Sequence, residues 1–425
     1  MLPRFLQKAF VGYEIIEIKE WLEKKRIDIW LDKKEEKEFK CFRCGNELGA
    51  KRGKYFLRLE GMPIMGFRFY IHLCREKGVC EKCKKARAED IEFISKETPH
   101  LTQDYAWWLG RICEIASVSR VAELHELNSM SMWRLDLARM RRMLKHYKIP
   151  EVTKITVDEV YARKKAKHAN ESRNDRFFTV ISDLVTRKVI WVSDSRSKSG
   201  LDEFFKIIGE EACKKIEVVA MDQHEDYRAS AREYCPQATV VWDRFHIMQN
   251  FEEAVNETRK TLHEELLKKS DAARLTRGKY RFLFLKKAAR RTEDERAHLN
   301  EVFKENELFA KLEMIKERMI TFFDEQTEEG AKKVFEEVGD WIWQARFEPL
   351  MKWYTNLEKQ WVTLKNYFTY RVTTALSEGI NNVIKMLKRR AFGYRNMQYF
   401  KLKIMQVCGY LNSRFIPNSL ALENQ

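Results

Sequence analysis

Between residues 155 and 243 the chain alternates short runs of β-branched and aromatic residues with polar punctuation. ITVDEVYARK, RFFTVISDL, KVIWVSD, EVVAMD and ATVVWD read as strands. LDEFFKIIGEEACKKI and DYRASAREYC, placed between the later strands, carry apolar residues at helical spacing. The first three strands follow one another through short links, which predicts an antiparallel meander. The strand–helix–strand units after them predict parallel additions to the same sheet.

Elsewhere the periodicity differs. Residues 1–40 contain two alternating, β-rich pieces, YEIIEIKEWL and RIDIWLD, and FRFYIHL reads as a strand inside a cysteine-rich stretch at 41–96. The pattern turns helical over 103–147, and Pro150 separates that block from the strand-rich one. From 247 to about 370 the chain reads as long, charged, periodic helices, and a last helical block begins at Ser377. At 425 residues the chain exceeds what one core usually serves. The reading is a multidomain α+β protein: a β-rich segment at 1–100, a helical domain at 101–150, a mixed-sheet domain at 151–246, a helical insertion at 247–376, and a closing segment at 377–425.

The cysteines add a metal site. Cys41 and Cys44, and then Cys80 and Cys83, form two Cys-x-x-Cys knuckles that together match the tetrahedral shell of structural zinc. Gly45 suits the tight turn after the first pair, while Cys74 is a spare thiol that clouds the assignment of the second. After this ribbon, VSRVAELHEL, NSM and SMWRLDLARMRRMLKHY read as helix, turn, helix. The second helix carries Arg134, Arg139, Arg141 and Arg142, suited to phosphates if it enters a DNA groove. An ordinary helical hairpin is the alternative.

Charge narrows the partner. Lys and Arg number 80 against 64 Asp and Glu, a net charge of +16, which favours a polyanion such as nucleic acid. No apolar run approaches the ~18 residues of a membrane span, and the first residues lack the apolar core of a secretory signal. The expectation is a cytoplasmic protein without membrane partners.

Against that basic background, acids stand at strand ends: Asp158 in ITVDE, Asp222 after EVVAM, and Asp243 after ATVVW, with His246 close behind. Glu378 follows at the start of the helix SEGINNVIKMLKRR, where Asn382, Lys385 and Arg389 each lie within about 40° of Glu378 on one face. Ile380, Val383, Ile384 and Leu387 form a separate apolar stripe. Carboxylates from separate elements can hold two magnesium or manganese ions ~3.5–4 Å apart for phosphodiester displacement. No acid follows Glu378 until Glu423, whereas Lys385, Lys388, Arg389, Arg390 and Arg395 lie among Phe392, Tyr394, Tyr399 and Phe400. Such mixing suits phosphate contact and base stacking.

SEGINNVIKMLKRRAFGYRNMQYF, together with DRFHIMQN and ITVDE, closely resembles the DDE transposases of the ISL-three type of bacterial insertion sequences. The resemblance covers essentially the whole chain. It implies a ribonuclease-H-like catalytic fold interrupted by a helical insertion, and the cutting and joining of transposon ends. By position, Asp158 would be the first acid and Glu378 the last. Asp222 would be the middle acid, with Asp243 as alternative and His246 orienting the scissile phosphate or bonding Asp243. Zinc would be structural; two magnesium or manganese ions would be catalytic. Partners would be the terminal inverted repeats and target DNA, bound by a dimer or higher assembly at the bacterial nucleoid. MDQHEDYR is unusually polar for the pattern, and Glu225 or Asp226 could compete for metal. Trp341, Trp343, Trp353 and Trp361 in the insertion either pack its helices or stack on a flipped base. Two other functions fit the sequence: a non-catalytic zinc-ribbon regulator, and a structure-selective nuclease.

Overall fold

A computed structural model describes residues 9–35, 37–163, 174–269, 276, 282–372 and 375–414. The chain forms two compact units: Met1–Lys148 with Leu387–Gln425, and Ile149–Met386.

In the first unit, β1 (Tyr13–Trp21), β2 (Arg26–Lys33), β3 (Lys51–Ile64), β4 (Phe67–Cys80) and β5 (Lys85–Ala88) form one sheet. Its order is β1-β2-β4-β3, with β5 also on β4. Only the β2–β4 pair is parallel. Alternation in these strands turns Ile29, Leu31, Leu59, Phe69, Ile71 and Leu73 into one apolar cluster. β3 was not anticipated as a strand, although Tyr55, Leu57 and Leu59 alternate along it.

Three helices follow: Gln103–Ile115, Val118–Leu124 and Ser129–His146. Side chains of Thr102, Ser117 and Asn128 cap them by accepting backbone N–H bonds. Tyr105, Leu109, Val121, Ala122, Met132 and Leu135 form their shared core. The helix Met397–Cys408 belongs to the same unit and meets Asp136, which is 0% exposed. Tyr399 donates its hydroxyl to Asp136 at 2.5 Å. Lys403 pairs with Asp136 at 2.7 Å and also donates to the Cys113 carbonyl at 2.6 Å. A charge buried this deeply is tolerated only because both partners reach it.

The second unit is built on β6 (Lys154–Tyr161), β7 (Phe177–Asp183), β8 (Lys188–Ser193), β9 (Val218–Met221) and β10 (Thr239–Trp242). The order is β10-β9-β6-β7-β8. β6, β7 and β8 pair antiparallel, and β9 and β10 add parallel to β6, as the strand pattern implies. The first intervening helix is in fact two, Lys198–Ile208 and Glu210–Lys214. Gly209 divides them at φ 80, ψ 166, a backbone that L side chains rarely adopt.

The insertion is helical. It opens with Arg244–Lys269, which starts directly after β10 and earlier than the sequence pattern suggests. Its later helices include Glu307–Thr321, Glu328–Ala345 and Glu348–Glu358. Phe322 meets Phe368 edge-on at 5.2 Å, and Phe335 stacks on Tyr354 at 4.4 Å. Trp353 packs on Phe251 at 4.8 Å and Trp361 on Phe335 at 5.2 Å, so these two hold helices together. Trp343 is 51% exposed and lines an open groove of about 570 Å³ with Met351, Lys352 and Asn356.

Replacing Lys403 by Met would leave the Asp136 carboxylate buried without its cation. The expected loss is about 3–5 kcal/mol of first-unit stability. Tyr399→Phe removes one bond to a charged group and is expected to lose about 1.5–3 kcal/mol. Urea unfolding followed by tryptophan fluorescence measures both.

Candidate functional site

The register of three parallel strands sets the site. Val157 of β6 pairs with Met221 of β9, and Met221 with Trp242 of β10. Asp158, Asp222 and Asp243 are each the next residue, so three acids stand at the same level on adjacent strands. The Asp243 N–H donates to the Met221 carbonyl at 2.8 Å, extending the ladder to that level.

The three carboxylates differ in what engages them. Asp158 accepts from the Glu159 N–H at 2.7 Å and from the Asn381 amide at 2.8 Å. Desolvation nonetheless pushes its pKa up, with a further push from Asp243. Asp243 accepts from the Phe245 N–H at 2.7 Å and from His246 Nδ1 at 2.9 Å, so both its oxygens are engaged. Asp222 is the exception: its Oδ1 is buried with no hydrogen-bond partner. Burial, reinforced by Glu159 and Asp158, raises its pKa to about 6. His246 is pushed up to about 9, chiefly by its bond to Asp243, then by Asp222 and Asp158 nearby. An imidazolium therefore sits among the acids at neutral pH.

The helix Ala375–Arg390 docks on β6 through two side chains one turn apart. Ser377 Oγ lies 3.2 Å from Thr156 Oγ1, and Asn381 reaches Asp158. Glu378 is beside Ser377 and three residues before Asn381, on the flank of that face. It is exposed in the first turn, and no described side chain pairs with it. Ile380, Ile384 and Leu387 are buried while Asn382, Lys385 and Arg389 are exposed, as the helical pattern implies. Asn381 and Ser377 were not singled out from sequence; the Asn381-Asn382 pair offered no way to tell which amide faces the sheet. Among the described residues, three or more potential ligand atoms come within 4.8 Å of one another only at the cysteines. Asp158, Asp222 and Glu378 lie on neighbouring elements but are not such a group of three.

Other polar residues nearby have partners of their own. Glu159 accepts from Arg196 at 2.8 Å. Glu225 is exposed and pairs with Arg228 at 3.3 Å. Asp226 accepts from the Lys198 N–H at 3.3 Å. Tyr227 is buried, its hydroxyl 2.8 Å from Thr179 Oγ1.

The knuckles converge in the first unit. The sulfurs of Cys41, Cys44, Cys80 and Cys83 all lie within 4.8 Å of one another. Gly45 and Lys84, the residues after each pair, both have positive φ, 74° and 52°. The Cys83 N–H donates to Cys80 Sγ at 3.4 Å, and this bond leads the causes that lower the Cys80 pKa to about 7. Cys74 is exposed and outside the cluster. The set could hold zinc: four thiolates on two tight turns, one of them already favouring the ionised form.

The basic residues divide sharply. Arg134 and Arg141 are exposed, Arg141 donating to Gln398 at 2.5 Å. Arg139 is not available for phosphate: it is 2% exposed, ion-paired with Glu114, bonded to the Gly110 carbonyl at 3.1 Å, and 4.4 Å over the Trp107 ring. The helical pattern could not distinguish an arginine facing a neighbouring helix from one facing solvent. Arg142 is likewise ion-paired, with Glu97. Lys385, Arg389, Arg390 and Arg395 are exposed, Arg390 donating to the Ile115 carbonyl at 2.7 Å; Lys388 is half-buried.

Asp158 is not at a strand end as the sequence suggests, because β6 runs on to Tyr161 against β7; it stands where the parallel pairing with β9 ends. A mixed sheet with acids in step at that level, preceded by a four-cysteine cluster, belongs with a known class. A family model described as Transposase, of the ISL3 type, matches residues 155–404. The chain belongs to this ISL3-type transposase family. It is also similar to the transposase for insertion sequence element IS1001 of Bordetella parapertussis, 25% identical over 424 residues, 95% of this chain and 98% of that protein. The transposase for insertion sequence element IS1557 of Mycobacterium tuberculosis is 23% identical over 246 residues, 53% of this chain and 55% of that protein. The family is one of enzymes that cleave and transfer DNA and generally need divalent metals. No helix among the described residues is long and apolar enough to cross a membrane.

Cys80→Ser is expected to abolish zinc retention and to melt the first unit at lower temperature. Cys74→Ser should change neither. Metal content by mass spectrometry, with thermal unfolding before and after chelation, checks both.

Proposed function

We propose that the second unit is a ribonuclease-H-like catalytic domain and that Asp158, Asp222 and Glu378 are its DDE acids. The observation that carries this reading is the placement of Asp158 and Asp222 at one level on adjacent parallel strands, beside the helix bearing Glu378. Asp222 is preferred over Asp243 as the middle acid. Its buried Oδ1 has no hydrogen-bond partner and is free to take a cation, whereas both Asp243 oxygens are engaged. Two magnesium or manganese ions, when bound, would activate the attacking oxygen and stabilise the leaving one.

The chain's own groups do the rest. Asn381 holds the Asp158 carboxylate in place and ties the Glu378 helix to the sheet. Asp243 fixes the His246 ring, whose imidazolium is poised to receive a non-bridging phosphate oxygen. Catalysis is chiefly positioning and charge stabilisation. Hydrolysis at the transposon end frees a 3′ hydroxyl, which attacks target DNA. Residues 1–100, a β-rich segment with a zinc ribbon, and 101–150, as a helix-turn-helix, would recognise the terminal inverted repeats. Arg134 and Arg141, with Lys385, Lys388, Arg389, Arg390 and Arg395, would bind the backbone. Residues 151–246, with the closing segment 377–425 only as far as Met386, would form the catalytic domain around the insertion 247–376, the rest of that segment belonging to the first unit. The protein would work as a dimer or larger assembly on DNA.

The test is incubation of purified protein, with magnesium or manganese, on DNA carrying the repeats that flank its own gene. Specific nicks at the repeat boundary are expected. Asp158→Asn, Asp222→Asn and Glu378→Gln should each reduce nicking roughly 10³-fold or more while binding in a gel shift persists. Asp243→Asn should reduce it less. Full cleavage by Asp158→Asn or Glu378→Gln would remove the assignment.

A further inference from the structure

The end of the helix Ala375–Arg390 breaks a local rule. The Gly393 N–H bonds the Lys388 carbonyl at 2.8 Å and the Phe392 N–H bonds the Arg389 carbonyl at 3.0 Å, the paired bonds of a Schellman cap. Glycine ordinarily takes the left-handed position of that cap, because a Cβ is crowded there. Here Phe392 takes it, at φ 52, and the glycine comes one residue later at φ 96. The ring gains nothing from the fold in return: it is 101% exposed, the highest value among the large hydrophobic residues described.

Its aromatic neighbours are all used internally. Tyr394 stacks on Phe400 at 4.5 Å, and Tyr399 bonds Asp136. What surrounds Phe392 in sequence is positive. Arg389 and Arg390 precede it, Arg395 follows, and all three are exposed. From Gly379 to Leu422 there is no acid. A strained, fully solvated phenyl ring on a hydrogen-bonded tip, flanked by guanidinium groups, is matched to a ligand with apolar faces between phosphates. Base pairs stacked in a duplex are such a ligand.

We infer that Phe392 is a wedge that enters a base step of bound duplex DNA, with Arg389, Arg390 and Arg395 on the flanking phosphates. The inference rests on the DNA-binding part of the function proposed above and is independent of the three acids. The ring has no hydrogen-bonding group, so it selects for ease of unstacking, which favours pyrimidine–purine steps, and it bends the duplex away from the wedge. The cap bonds fix the backbone that carries the ring before DNA arrives, so little backbone ordering is needed on binding.

The experiment uses the full chain and duplex DNA from the sequence flanking its own gene, with 2-aminopurine placed at successive positions. Bound wild-type protein should raise the fluorescence at one localised step. Phe392→Ala should lose that rise and bind the duplex about 5- to 150-fold more weakly, whereas Phe392→Trp should keep the rise. Phe392→Asn, which tolerates the left-handed backbone, serves as the fold control: it should melt at or above the wild-type temperature and still lose the signal. An equal rise with Phe392→Ala or Phe392→Asn on bound DNA overturns the wedge and leaves the DNA-binding reading standing. So does a wild-type complex without any localised rise. A wild-type chain that fails to shift the duplex overturns the DNA-binding reading itself, and the wedge with it.

Discussion

The parallel pairing of β9 between β6 and β10 is the constraint on which the second unit depends. Its ladder begins where the Glu217 N–H meets the Thr153 carbonyl at 2.7 Å and the Thr239 N–H meets the Glu217 carbonyl at 2.8 Å. From there the register runs without a shift to Val157, Met221 and Trp242. Because strand side chains alternate, a slip of one residue would turn Asp222 to the opposite face and separate it from Asp158. The fully buried Val218, Val219, Ala220 and Met221 make that slip costly, so apolar packing of β9 is what places the acid after it.

Acids brought to one level repel, and the fold answers in two ways. Asn381 and the Glu159 N–H supply donors to Asp158, and His246 supplies a charge beside Asp243. Asp222 Oδ1 receives no donor, and burial outweighs the pull of His246 and raises its pKa to about 6. A similar economy governs the first unit, where part of the positive excess never reaches the surface. Glu89 is fully buried on Lys33 and Lys37, at 2.8 and 3.1 Å, and Arg139 and Lys403 are consumed by Glu114 and Asp136. The count of 80 Lys and Arg therefore overstates the cations free to meet DNA.

Much of this organisation was legible in the chain itself. The five strands of the second unit, their change from antiparallel to parallel, the two cysteine knuckles and the amphipathic Glu378 helix each carry a periodicity or spacing with one structural solution. What escaped was set by neighbours distant in sequence. β3 is interrupted by lysines and arginines that sit on its solvent side, which blurs its alternation. The helical spacing that marked Arg139 as a phosphate ligand is the same spacing that turns it onto Gly110 and Glu114. Asn381 gains its meaning only from Asp158, more than two hundred residues earlier, and Gly209 ends a helix that its flanking residues would have continued.

The first unit draws on two segments far apart in the sequence, and the Asp136 contacts show what that entails. When residues up to 148 leave the ribosome, Asp136 has neither Tyr399 nor Lys403, and it gains them only after some 250 further residues have been translated. A chain released early would carry a bare anion against an apolar helix face and expose the surface that Met397–Cys408 should cover. Chains exposing such surface are subject to triage by chaperones and proteases. Burial of Asp136 in the first unit is thereby coupled to the synthesis of a segment more than 250 residues further on.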